Sequence, residues 1–338
     1  MDLNTIWFLL FGVLIVGYAI LDGFDLGVGV LYLFARDEHE RRVYLNAIGP
    51  VWDGNEVWLL TAGGALFAAF PIVYATVFSA FYLALMLVVV ALIARAVSFE
   101  FRGKLAGSGW RRLWDLCFAL GSLAAAVLFG VAVGNVIRGI PIDDGGNFTG
   151  SFLGLLNPYA VLLGLVSLSM FTMQGAAYLC LKTEGDLLER TKRWVVKSWS
   201  AFAVLYAVAT AASIFAAPHL FAGVGGNPLF WLFLVLLIVA VVSVPLFGGR
   251  AKYGRAFLAS SLTTLSMIAL AAIGMFPRLV VSSTNLADSL TIYNAASTPR
   301  THTVMLVIAL IGMPLVLVYT AYVYSVFKGK VVLTEDSY

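Results

Sequence analysis

Asp22 and Asp25 stand three residues apart, and so do Asp53 and Glu56, within stretches that are otherwise strongly apolar. In a helix, residues three apart share a face, so each pair presents two carboxyls to one side. Arg95 lies inside a third apolar stretch with Glu100 near its end, and Asp115 opens a fourth. A charge at membrane depth costs about 2.5–3.5 kcal/mol or more on insertion scales, so each of these needs a partner or a purpose. Carboxyls that burial keeps close to protonation can exchange protons, which makes Asp53, Glu56, Asp22 and Asp25 a candidate proton path. The alternative is structural: Asp25 and Asp115 neutralise Arg95 in a buried salt bridge, and Asp53 caps its helix. The residues alone weigh these two readings about equally.

The elements that must position those side chains are membrane helices. Of 338 residues, 61% are hydrophobic and 12% charged, too little polar surface to clothe a soluble domain. Nine stretches approach the roughly 20 apolar residues that a crossing needs: 6–34, 54–70, 72–99, 110–137, 158–181, 194–217, 229–247, 256–276 and 302–327. Their apolar runs are continuous and lack the alternation of a barrel strand, so the expected fold is an all-α polytopic membrane protein. No positive charge precedes the first stretch, and it is too long for a signal-peptide core, so it is read as a retained helix. Cys117 and Cys180 fall inside apolar helices as packing residues, not as a disulfide or thiolate metal site. Asn147-Phe148-Thr149 matches a glycosylation acceptor, a weak tripeptide signal.

Basic residues fix an expected orientation. Seventeen of the 21 Lys and Arg fall in alternate connections, among them Arg41, Arg102, Lys182, Arg250 and Lys330. Only Arg138, Arg278 and Arg300 fall on the other side. Lys and Arg accumulate in cytoplasmic loops, which puts the N-terminus outside and the C-terminus in the cytoplasm, in agreement with an odd number of crossings. The charges alternate with crossings and form no single basic face, which excludes nucleic acid as a partner.

No low-complexity tract or long linker divides the chain, so residues 1–338 are expected to form one transmembrane domain. The connection 277–301 is rich in Ser, Thr and Asn and holds Asp288 and Tyr293, which suggests an ordered polar cap over the bundle. Gly27, Gly29, Gly63 and Gly64 suit close approach of neighbouring helices. His39, His219 and His302 fall in loops or at helix ends, so no pair stands at mid-depth to hold a haem or copper, and none of the Met residues has a His partner. No metal site is expected in this chain.

Tyr18-Ala19-Ile20-Leu21-Asp22-Gly23-Phe24-Asp25-Leu26-Gly27, Gly49-Pro50-Val51-Trp52-Asp53-Gly54-Asn55-Glu56-Val57-Trp58 and the run from Thr61 to Pro71 closely resemble subunit II of cytochrome bd quinol oxidases. Similarity continues through Gly134-Asn135, Asn157-Pro158, Thr172-Met173-Gln174-Gly175 and Met275-Phe276-Pro277, and so covers nearly the whole chain. The resemblance implies a bacterial inner-membrane heterodimer in which subunit I carries haems b558, b595 and d, oxidises quinol near the outer face and reduces dioxygen to water. It implies two four-helix bundles plus one peripheral helix, a haem-free chain that stabilises subunit I and aids proton or oxygen access, and it admits a small single-helix subunit amid membrane lipid. Carried onto this sequence, Asp53 becomes a member of the proton path, and Arg95, Asp25 and Asp115 match charged positions of the haem environment. Glu56 stands where some relatives have Gln, and the 218–228 connection is shorter than in longer members. A proton-coupled secondary transporter would instead favour paired broken helices in inverted repeats, of which the sequence shows no convincing pair; a purely structural subunit is the third reading.

Overall fold

The computed structural model describes residues 2–334 and 337. Eleven α-helices follow in order: α1 Leu3–Tyr32, α2 Glu38–Ile48, α3 Trp52–Ala69, α4 Pro71–Ala80, α5 Tyr82–Phe101, α6 Ser108–Arg138, α7 Pro158–Lys182, α8 Gly185–Ala216, α9 Pro228–Gly249, α10 Tyr253–Met275 and α11 Pro299–Val326. Among the described residues, eight of them (α1 and α5 to α11) are long and apolar enough to cross a membrane. The second expected crossing is α3, which falls outside that set because its first turns carry Asp53, Asn55 and Glu56.

Connectivity departs from the nine simple stretches at two points. The connection between the first two crossings holds a helix of its own, α2, capped by Asp37, whose carboxylate accepts from Glu40 N at 2.8 Å. The stretch 72–99 is not one helix, because the chain turns at Phe81 between α4 and α5. That stretch is longer than a crossing requires, and its first third packs against β1 and against the connection between α6 and α7, where Thr76 Oγ1 donates to Gly146 O at 2.7 Å. No Gly or Pro marks the turn, so hydropathy runs straight through it.

Three long helices start with the same local device. Asn157-Pro158, Asn227-Pro228 and Thr298-Pro299 place a side-chain oxygen at the N-cap and proline at the first helical position. All three starts lie on the side opposite the basic loops. That side is closed by the connection 277–301, where strands β1 (Arg278–Val280) and β2 (Leu290–Thr291) pair antiparallel. The connection is pinned by Ser283 N to Ile140 O at 3.0 Å and Ser297 N to Ala69 O at 2.9 Å. Ile292 and Ala295 of this connection are themselves fully buried, so the ordered cap is present.

At the basic end the C-terminal segment folds back on the bundle. Lys330 Nζ donates to Cys180 O and Thr183 O at 3.0 and 2.6 Å, while Lys182 Nζ donates to Phe327 O at 2.5 Å. Lys330, just beyond α11, thus satisfies carbonyls at the end of α7, and Lys182 of α7 satisfies one at the end of α11, where the helix dipole favours a cation.

The centre of the molecule is α7, which packs on α1, α6, α8 and α10. Its contact with α1 is backbone on backbone: a Cβ on Gly27 would lie 1.8 Å from Phe171 O, and one on Gly175 would lie 2.5 Å from Gly27 C. Gly27 therefore does what its position suggested, whereas a Cβ on Gly63 or Gly64 would meet nothing within 4 Å of this chain. Gly27→Ala should force α1 from α7 and lower stability by about 1–3 kcal/mol or more. A thermal melt of the purified assembly should show that drop beside a Gly12→Ala control, whose Cβ meets nothing within 4 Å; equal midpoints would mean the contact relaxes without cost. By contrast, only His302 of α11 is buried, leaving that helix peripheral to the bundle.

Candidate functional site

Tyr18, Asp22 and Asp25 follow one another at helical spacing on one face of α1, and all three are buried. Across from them α5 presents Arg95, which is fully buried. Its guanidinium meets Asp22 Oδ1 at 3.2 Å and Glu56 Oε2 at 3.6 Å. Trp52, in the first turn of α3, lies against the same group, with Arg95 Cζ 5.8 Å from its ring centre, and stacks on Phe99 at 4.9 Å. Three helices therefore converge on one cation.

Asp25 is held separately. Asn55 Nδ2 donates to Asp25 Oδ2 at 2.7 Å, and the Tyr324 hydroxyl of α11 donates to Asn55 Oδ1 at 2.9 Å. Oδ1 of Asp25 and Nε of Arg95 are buried with no hydrogen-bond partner among the described residues, so the cluster retains capacity to bind further polar groups. The way out is through α3: the Glu56 side chain is 20% exposed, and Asp53, one turn nearer the basic end, is exposed on the chain's surface.

This arrangement revises two sequence-based expectations. Asp115 does not neutralise Arg95; Asp22 and Glu56 make the direct ion pairs, because α1 and α3 present those two toward α5, and Asp25 acts on the guanidinium from a longer range. Asp53 does not cap α3 either. Val51 occupies the N-cap, without a side-chain capping bond, and Asp53 lies inside the first turn.

Asp115 belongs to a second cluster at the basic end. Arg102 Nε donates to Asp115 Oδ1 at 2.6 Å, Arg41 Nη1 reaches Asp115 Oδ2 at 3.1 Å, and the Tyr32 hydroxyl donates to the same carboxylate. Arg102 also grips Glu38 through two bonds of 2.7 and 3.0 Å, and Arg190 pairs with Glu40. The network clamps α1, α2, α5, α6 and α8 together. The Arg102 guanidinium holds the Glu38 carboxyl below its ordinary value of 4.5. A carboxyl depressed in the folded state contributes stability above that ordinary value and loses it as pH falls through the folded value. Because Glu38 is half exposed, the effect is small. The wild-type assembly should melt about 1–3 °C above Glu38→Gln at pH 6, with the gap narrowing as pH falls below the ordinary carboxyl value of 4.5. A gap that does not change with pH would assign the difference to packing.

Tyr18, Asn55, Trp52 and Tyr324 complete the central cluster and were not singled out from the sequence. Tyr18 carried a usable signal, standing four residues before Asp22. Tyr324 carried none, since 269 residues separate it from Asn55. Of the histidines, His302 Nε2 lies 2.9 Å from Ala69 O and His219 Nε2 lies 2.9 Å from Ile137 O, while His39 is exposed. Among the described residues no three His, Cys, Asp or Glu side chains are grouped so as to hold a metal ion.

Comparison with known proteins extends this geometry. The family model described as cytochrome bd terminal oxidase subunit II matches residues 3–327. The protein named cytochrome bd-I ubiquinol oxidase subunit 2 of Escherichia coli K12 is 38% identical over 360 residues, covering 97% of this chain and 95% of its own. The cytochrome bd ubiquinol oxidase subunit 2 of Bacillus subtilis is 36% identical over 332 residues, covering 98% and 97%. A chain from the structure of bd oxidase from Geobacillus thermodenitrificans shares the fold, with a TM-score of 0.80 at 18% identity, covering 97% of this chain and 99% of that one.

Proposed function

This chain belongs to the cytochrome bd terminal oxidase subunit II family, and from that premise we propose that its buried acids carry protons from the basic side of the membrane toward the haems of the complex. It is a multi-pass protein of the bacterial inner membrane and a subunit of a bd-type quinol oxidase, an oxidoreductase complex containing haem. Subunit I is its partner, and quinol and dioxygen are the substrates of the assembly.

The path starts at Asp53, continues through Glu56 to Asp22 and includes Asp25, with the permanently charged Arg95 holding Glu56 and Asp22 on either side of its guanidinium. One guanidinium faces three carboxyls in a low-dielectric site, and burying all three as anions would leave uncompensated charge. A neutral or near-neutral cluster therefore shares protons among its carboxyls, which is what a relay requires. The observation that carries this reading is the fully buried Arg95 joined to both Asp22 and Glu56, with Glu56 reaching the surface beside Asp53. Quinol oxidation releases protons on the outer side and dioxygen reduction consumes them, so a buried haem site needs such a route to water.

The finer architecture follows the same reading. α3 supplies a further crossing to the eight, giving nine: two four-helix bundles with α11 as the peripheral helix, forming one domain. The N-terminus lies outside and the C-terminus in the cytoplasm, since the basic loops gather at the end where α1, α5, α7, α9 and α11 finish. Haems b558, b595 and d reside on subunit I. The histidines here are a poor fit to paired iron ligation, because Nε2 of His219 and Nε2 of His302 each engage a backbone carbonyl and His39 is exposed. When bound in the complex, the haems supply electron transfer and dioxygen reduction; this chain positions acids and excludes bulk water. A small single-helix subunit and annular lipid complete the particle.

Expression with and without subunit I tests the assignment. The tagged chain produced with its partner should co-purify with a larger haem-bearing polypeptide, and produced alone it should show no haem absorption. Haem bound by the lone chain would overturn it.

A further inference from the structure

Every carboxylate of the two clusters described above comes from the first half of the sequence, and between Glu189 and Asp288 there is no acidic residue at all. The turn joining α9 to α10 falls in that span, and it carries Arg250, Lys252 and Arg255, all exposed. None of the three forms an ion pair with any described residue of the chain. No acidic residue stands in the first turn of α10, and no side chain caps it.

Directly above this turn, a groove of about 370 Å³ runs between the two helices, with Leu236 and Phe247 of α9 on one wall and Leu258 and Leu262 of α10 on the other, and Arg255 at its mouth. From Leu236 to Phe247 the helical rise is about 16 Å, close to the depth of one hydrocarbon leaflet. An apolar trough one leaflet deep that ends in unbalanced positive charge at the membrane boundary matches one chemistry: an acyl chain joined to a phosphate.

We propose that this α9–α10 groove binds an anionic glycerophospholipid of the phosphatidylglycerol type, with an acyl chain along the trough and the phosphodiester at Arg255. Arg250 and Lys252 add to the field that selects net negative headgroups over zwitterionic ones. Ser243, facing the trough, limits how deeply the chain seats.

The test uses the intact oxidase in mild detergent, titrated with phosphatidylglycerol or phosphatidylcholine of identical chains and read by native mass spectrometry. One cation near the surface is worth about 1 kcal/mol toward an anionic lipid, so Arg255→Gln should weaken phosphatidylglycerol binding about fivefold and phosphatidylcholine, whose phosphodiester is offset by its own choline cation, by clearly less. Arg255→Lys should retain most of the binding, and Ser243→Phe should weaken both lipids by filling the trough. Equal retention of the two lipids by the wild-type complex would overturn the proposal, as would phosphatidylglycerol binding indifferent to Arg255→Gln. A crosslink from position 255 to an acidic segment of another subunit, in place of lipid, would overturn it too.

Discussion

Replacing Arg95 by alanine is expected to remove about 3–5 kcal/mol of stability and, with it, most of the recoverable oxidase. Asp22 and Glu56 both meet this guanidinium, and Asp22 is fully buried. Without the cation, Asp22 would be an uncompensated buried charge or would have to take up a proton. The loss should therefore be partly reversed in the double variant Arg95→Ala with Asp22→Asn, because the second change removes the stranded carboxylate. Yield, haem absorption per particle and melting midpoint measure the effect. Recovery of Arg95→Ala at wild-type yield and midpoint would show that the pair carries no structural weight. A double variant no better than the single would shift the dependence to Glu56.

Asp53→Asn is expected to act in the opposite way, lowering oxidase turnover on the order of tenfold or more while leaving assembly and haem content intact. The reason lies in its setting. Asp53 is exposed on the chain's surface and makes no capping bond, so its removal strands no partner among the described residues, yet it stands one turn before Glu56 at the mouth of the cluster. Oxygen consumption and proton uptake in the reconstituted complex read the change, with haem spectra as the control for assembly. Wild-type uptake in an assembled Asp53→Asn complex would remove Asp53 from the path and leave the buried cluster as a structural device.

The two substitutions separate functions that the sequence presented together. Asp22 with Asp25 and Asp53 with Glu56 looked like matching pairs, both spaced by three. In the folded chain the members of each pair part company: Asp22 joins Arg95 while Asp25 joins Asn55, and Glu56 turns inward while Asp53 stays outside. Residues three apart share a face, but they differ by about 60° around the helix, enough to send neighbours to different partners where three helices meet. Asp115 shows the same limit. A pairing with Arg95 was one expectation for it, yet Arg102, seven residues farther on at the C-cap of α5, is the arginine that reaches it.

From its sequence alone this chain was committed to lipid, to a helical bundle, to a basic and a non-basic side and to a family, because hydropathy, charge distribution and local capping act over short stretches and leave a direct trace. The helix starts at Asn157-Pro158, Asn227-Pro228 and Thr298-Pro299 are of this kind. Which buried acid faces Arg95, where the long third stretch turns, and that Tyr324 closes on Asn55 were decided by tertiary packing. Those outcomes depend on the rotation of each helix about its axis. In a chain apolar on nearly every face that rotation is set by contacts such as Gly27 against Phe171, between residues far apart in sequence, and no local pattern encodes it.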